Sequence, residues 1–151
     1  YQNKPKKGNN AVKKLLLLSL LSFSGMAFAD GQSILNASLK SYKESGSKEF
    51  ISTLLKNSPI AKEKSMLVSL ESTFPTFETF FGKPMSINVL REVTVSQKVK
   101  NIFFTFNYET GPIFGMMTTF DGPNGEVVTY VTVNANQGAV LPDDIIEGHT
   151  K

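Results

Sequence analysis

The stretch 99–134, VKNIFFTFNYETGPIFGMMTTFDGPNGEVVTYVTVN, decides the fold. Apolar and aromatic side chains recur at alternate positions through three runs, the period of a β-strand. Two clusters of turn residues separate the runs: Glu109-Thr110-Gly111-Pro112 and Asp121-Gly122-Pro123-Asn124-Gly125. Glycine, proline and asparagine supply the backbone angles of tight turns, so strands are expected at about 99–109, 113–120 and 126–134. Connections this short make neighbouring strands antiparallel.

On the N-terminal side the alternation continues back to Pro84. Ile87, Val89, Val93 and Val95 fall on one face of a first strand, with Asn88, Glu92 and Thr94 on the other. Before Pro84 the period is helical. Ile34, Leu35, Leu39 and Tyr42 mark a helix over 32–44 that Gly46 stops, and Ser47 is placed to cap a second carrying Phe50, Ile51, Leu54 and Leu55. A third is expected from Ser58 as cap and Pro59 at its first position, through Ile60, Met66, Leu67 and Leu70. Pro75 is expected to kink or interrupt it before Phe77, Phe80 and Phe81 lead to Gly82 and Pro84. Helices first and a strand meander afterwards define an α+β fold, with N-terminal helices packed on one face of a curved four-stranded antiparallel sheet.

Ahead of the first helix lies an address. A basic pair, Lys13-Lys14, precedes an apolar run over 15–26 and then Ala27-Phe28-Ala29 before Asp30. This is the three-part pattern of a secretory signal peptide at 12–29, with Ala27 and Ala29 at the cleavage positions and Asp30 as the first mature residue. The run is broken by Ser19, Ser22, Ser24 and Gly25, too short for the ~20 apolar residues of a bilayer span. Residues 1–11 read as an untranslated or extended leader: Lys6-Lys7-Gly8 is compatible with a ribosome-binding sequence, and Val12 with a GTG start. Residues 30–151 then form one domain, periplasmic or secreted, with no membrane anchor after cleavage.

Removing the leader changes the electrostatics. The full chain has a formal net charge of +3, but Lys4, Lys6, Lys7, Lys13 and Lys14 are five of its sixteen basic residues. Eleven then face thirteen acidic residues, so no basic footprint for nucleic acid remains. There is no cysteine, hence no disulfide, and burial alone must hold the domain together.

The segment 107–142, NYETGPIFGMMTTFDGPNGEVVTYVTVNANQGAVLP, resembles the C-terminal half of small exported bacterial proteins of unknown function with a cystatin-like or nuclear-transport-factor-2-like roll. The resemblance rests on the Tyr108-Glu109-x-Gly111-Pro112 turn, a last strand ending at Asn134, and Leu141-Pro142 beyond it. FFGKP at 80–84 is similar to the helix-to-sheet junction of the same proteins. Such relatives often open the last strand with a tryptophan; this chain has none and offers Val127-Val128.

The chemistry is sparse. The one histidine, His149, lies in the tail, so Ser–His–Asp, Cys–His and histidine metal sites lack their base or ligand. Asp143, Asp144 and Glu147 lack the spacing of a calcium loop and read as a solvated acidic end. The aromatics Phe103, Phe104, Phe106, Tyr108, Phe114 and Phe120 read as cross-strand core pairs.

Arg91 is the only arginine, and its parity groups it with Ile87, Val89, Val93 and Val95. It reads either as a strand-end arginine reaching water or pairing with Glu92 or Glu109, or as the polar anchor of a pocket between sheet and helices, with Tyr108, Tyr130 and Asn134. Two function classes follow. One is a non-enzymatic binding or accessory module for a small ligand or a periplasmic protein, for which a homodimer through the sheet is one arrangement. The other is a small cavity enzyme using Glu92 or Glu109 as general base. No cofactor or metal is expected.

Overall fold

A computed structural model describes residues 30–148. Ala27, Ala29 and the rest of the stretch expected to be a signal peptide, with His149, lie outside the described residues. Helix α1 (Gly31–Ser45) opens on Asp30, whose carboxylate accepts the Ser33 N–H at 2.8 Å; that bond holds the Asp30 carboxyl below its ordinary range. It closes at Gly46, where φ of 87° needs a residue without Cβ and the N–H bonds back to the Tyr42 carbonyl. Gly46 also takes the N-cap of α2 (Ser47–Leu54), so Ser47 is the first helical residue and not the cap that the sequence suggests.

The third helical segment also differs from expectation. Ser58 does cap Pro59, but only for a 3-10 turn, Pro59–Lys62; a separate helix α3 then runs from Lys64 to Phe81. Pro75 lies inside α3 without ending it. It sits on the exposed face, where the carbonyl that loses its donor is accessible to water.

Strands β1 (Pro84–Ser96), β2 (Val99–Tyr108), β3 (Pro112–Gly122) and β4 (Gly125–Asn134) form an antiparallel meander in the order β1-β2-β3-β4. The chain is thus α+β, helices followed by a four-stranded meander, as the pattern predicts. Ile102, Phe104, Phe106 and Tyr108 of β2 point at the helices beside Ile113 and Met117 of β3. Phe50 and Phe74 from α2 and α3 close on Phe106 with ring centroids 4.7 to 6.0 Å apart, and Tyr42 completes the cluster. These rings are buried, and each contributes ~1.5–3 kcal/mol as a buried large side chain.

The alternation of β1 is broken. Val89 faces Phe104 and Arg91 faces Phe103, so Leu90 is an extra residue with no partner across the ladder. The bulge reverses the faces beyond it. Glu92 lies opposite buried Ile102 on the helix side, while Arg91 and Val93 fall away from Ile87 and Val89; Val95 is itself the unpaired residue of a second irregularity between Thr94 and Ser96, and Val93 and Val95 are 38% and 58% exposed. The sequence expectation that all four valine and isoleucine residues share Arg91's face is therefore corrected.

Beyond β4 a 3-10 turn (Gln137–Ala139) and a one-turn helix α4 (Asp143–Ile146) bring the chain back to β1, where Asp144 pairs with Arg91. Since β4 and β1 are opposite edges, this strap crosses the face away from the helices. Leu141 and the outward-facing Phe103 are buried in consequence. The acidic tail is thus not simply solvated: Asp144 has a guanidinium partner.

Candidate functional site

The four residues considered for a pocket do not converge. Register places Arg91, Tyr130 and Asn134 on the outer face, opposite Phe103, Thr118 and Phe114 respectively. Tyr108 is on the helix face, buried against Phe77, Phe81 and Phe106. Arg91 is engaged by Asp144, and its guanidinium holds the Asp144 carboxyl below the usual carboxylate range. Tyr130 is 44% exposed, and the Asn134 side chain accepts the Asn136 N–H at 2.8 Å, shaping the turn after β4.

Between sheet and helices the volume is occupied by aromatic rings. Two phenol hydroxyls, of Tyr42 and Tyr108, lie within this core in reach of each other, and neither forms a regular hydrogen bond among the described residues. Burial pushes both phenols far above the ordinary tyrosine range. The two glutamates considered as bases are at the surface. Glu92 pairs with Lys100 at 2.7 Å, which raises the lysine, and Glu109 accepts the Lys83 N–H at 3.1 Å beneath the left-handed Gly82.

Concavity is found at the far end of the sheet, where the β3–β4 hairpin meets the α2-to-α3 connection. Gly125 takes φ of 103° at the hairpin and Asn57 takes φ of 61° opposite it, so both segments turn sharply and leave space between them. Two adjoining clefts result. One, of about 770 Å³, is walled by Pro59, Ala61, Phe120, Pro123 and Val127, with Lys62 at its rim. The other, of about 600 Å³, has Ile34, Ala37 and Leu54 as apolar wall, with Thr53, Lys56 and Glu126 around it.

Local structure fixes this end of the fold. The buried Ser58 hydroxyl donates to the Val128 carbonyl, tying the 3-10 turn to β4. The Thr119 hydroxyl donates to the Glu126 carboxylate, and the Asp121 N–H donates to the Lys98 carbonyl at 2.8 Å, holding the two hairpin tips together. Mostly apolar walls with a few polar groups suit binding of a small amphipathic molecule. Among the described residues no cluster of three His, Asp or Glu side chains is arranged to hold a metal. No described helix is long and apolar enough to cross a membrane.

Sequence reasoning identified Pro59, Asn124 and Gly125 only as turn and cap residues. Their signal for the site lies in the pairing of two turn-rich segments, 57–59 and 121–125, which sequence separation hides. Comparison with known proteins found no matching family model, no matching curated protein and no matching solved structure.

Proposed function

We propose that this chain is an exported, non-enzymatic binding protein that takes a small amphipathic ligand in the clefts between the β3–β4 hairpin and the Asn57–Pro59 connection. The carrying observation is the larger cleft itself: about 770 Å³ with apolar walls, at one end of a fold whose interlayer volume is packed with rings. The binding place thereby moves from the Arg91 pocket to the hairpin end. Export rests on the three-part leader, and cleavage after Ala29 leaves intact the Asp30 cap that begins α1. The helix-then-meander order supports the cystatin-like or nuclear-transport-factor-2-like roll as the fold family. The surface engagement of Glu92 by Lys100 and of Glu109 by the Lys83 N–H favours binding over the cavity-enzyme reading.

The test is to express the chain from Val12, fractionate the cells, and measure intact and native mass. A species beginning at Asp30 outside the cytoplasm and carrying extra non-covalent mass, lost when Ala61→Trp fills the cleft, is the expected result. An uncleaved chain in the membrane overturns the export reading. Retention of the extra mass by Ala61→Trp overturns the site.

A further inference from the structure

The larger cleft does not end at its own walls. Val99 faces Phe120 across β2 and β3, and Phe120 faces Val127 across β3 and β4, so three side chains stand abreast on the outer face. At strand spacings of ~4.8 Å this row is ~10 Å long. It begins at Phe120 and Val127, which line the cleft, and leads away to Val99, with the exposed Val95 at the adjoining β1 bulge. The strap covers the Arg91 and Phe103 level of the face, whereas Phe120 remains 37% exposed. The opposite end of the path, beside Pro59 and Ala61, carries Lys62, the one charged side chain among the described residues that lines this cleft.

An apolar track of this length with a single ammonium at one end is complementary to an anion bearing a linear hydrocarbon tail. We propose that the ligand is a monomeric alkyl amphiphile with an anionic head: the head at Lys62, the first carbons in the cleft, and the tail along Val127, Phe120 and Val99. This rests on the cleft being the binding site and adds the ligand class. Two features of the path make the assignment specific. Chain length matters because each buried methylene contributes ~0.8 kcal/mol. Head charge matters less, because Lys62 is solvent-exposed and an exposed ion pair is worth at most ~1 kcal/mol.

The experiment titrates the isotope-labelled full chain with decanoate, butyrate, decylammonium and neutral benzyl alcohol, following amide shifts by NMR and affinity by calorimetry. Decanoate is expected to move the resonances of Ala61, Phe120 and Val99, and to bind at least tenfold tighter than butyrate. Lys62→Gln should weaken decanoate about threefold to fivefold and leave benzyl alcohol unchanged. Val99→Asp, which lies outside the cleft, should weaken decanoate and leave butyrate unchanged, with circular dichroism confirming the fold of each variant. Equal affinity for decanoate and decylammonium, or no effect of Val99→Asp, overturns the proposal. If benzyl alcohol shifts the cleft resonances but decanoate does not, the cleft reading stands and the amphiphile assignment fails; if neither does, both fail. Sedimentation with phosphatidylglycerol vesicles separates the sources of such a chain: co-sedimentation without decanoate binding refutes the monomeric ligand in favour of a bilayer.

Discussion

Gly115→Ala reverses the usual sign of a glycine replacement. In a strand interior alanine is ordinarily better than glycine by roughly 0.5–1 kcal/mol, because glycine loses more backbone freedom on folding. Gly115 is in the middle of β3, opposite Phe104 on β2 and Val133 on β4. A Cβ there would overlap the Phe104 ring, falling on Cζ and Cε2 and 2.8 Å from Cε1. Phe104 is 1% exposed and has nowhere to swing, so the overlap becomes overpacking at about 1–3 kcal/mol. The two effects leave a net destabilisation of about 1–2 kcal/mol. With a urea slope of ~1–3 kcal/mol/M, the unfolding midpoint should fall by about 0.3–2 M. The contact can be isolated by a cycle: Phe104→Leu removes the ring edge, so the double variant should be less destabilised than the sum of the single changes, with a coupling of ~0.5–3 kcal/mol. A Gly115→Ala midpoint equal to or above that of the parent refutes the reasoning.

The Asp144–Arg91 pair makes strap attachment dependent on pH. The folded carboxyl lies below its ordinary value, so its contribution is present above the unfolded pKa and is lost as pH falls through the lower folded value. With the pH dependence of the intrinsic exchange rate divided out, the protection factors of the amides at 143–147 should therefore fall selectively in acid, and Asp144→Asn should show that lower protection already at neutral pH. The Tyr42 and Tyr108 hydroxyls are buried without a regular partner, so replacing both by phenylalanine removes desolvated polar atoms and keeps the rings. The double variant should change stability by less than about 1 kcal/mol or increase it, whereas a loss of several kcal/mol would reveal a strong bond between them.

The sheet was legible because its information is local. In 99–134 every strand carries its own alternation and every connection its own turn residues, so register and pattern agree across β2 and β3; β4 departs once, where the register shifts between Thr118 and Thr119 and Thr129 is left without a partner across the ladder. The first strand was legible as a strand but not in its facing. Val89 and Leu90 are adjacent and both apolar, so alternation alone cannot show which is the inserted residue; the choice at Leu90 inverts Arg91 and Val93. Arg91's partner was hidden for another reason: Asp144 lies 53 residues away and meets it only because the strap crosses the sheet. The helical segment from Ser58 shows the limit of local cues. Its cap was visible, but Ser58 also bonds Val128, 70 residues on, and that anchor accompanies an early break into a 3-10 turn. The clefts were hidden likewise, since neither of the turn segments that form them is concave by itself.

The same bulge bears on whether this sheet can dimerise through an edge. A free edge strand offers unpaired N–H and C=O groups to another copy, and thirteen residues of β1 are long enough to do so. Yet β1 departs from regular register between Pro84 and Ser86, between Val89 and Arg91, and between Thr94 and Ser96. Each irregularity twists the strand and interrupts the row of groups that a second copy must match. At the other edge, the Ser58 hydroxyl already occupies the Val128 carbonyl and the 3-10 turn packs alongside β4. Both edges are therefore guarded, and the protein should sediment as a monomer at micromolar concentration. Deleting Leu90 removes the central bulge while keeping Arg91 opposite Phe103, so this variant should associate more readily than its parent. A parent dimer with exchange-protected amides along β1 would show that the irregularities do not block pairing.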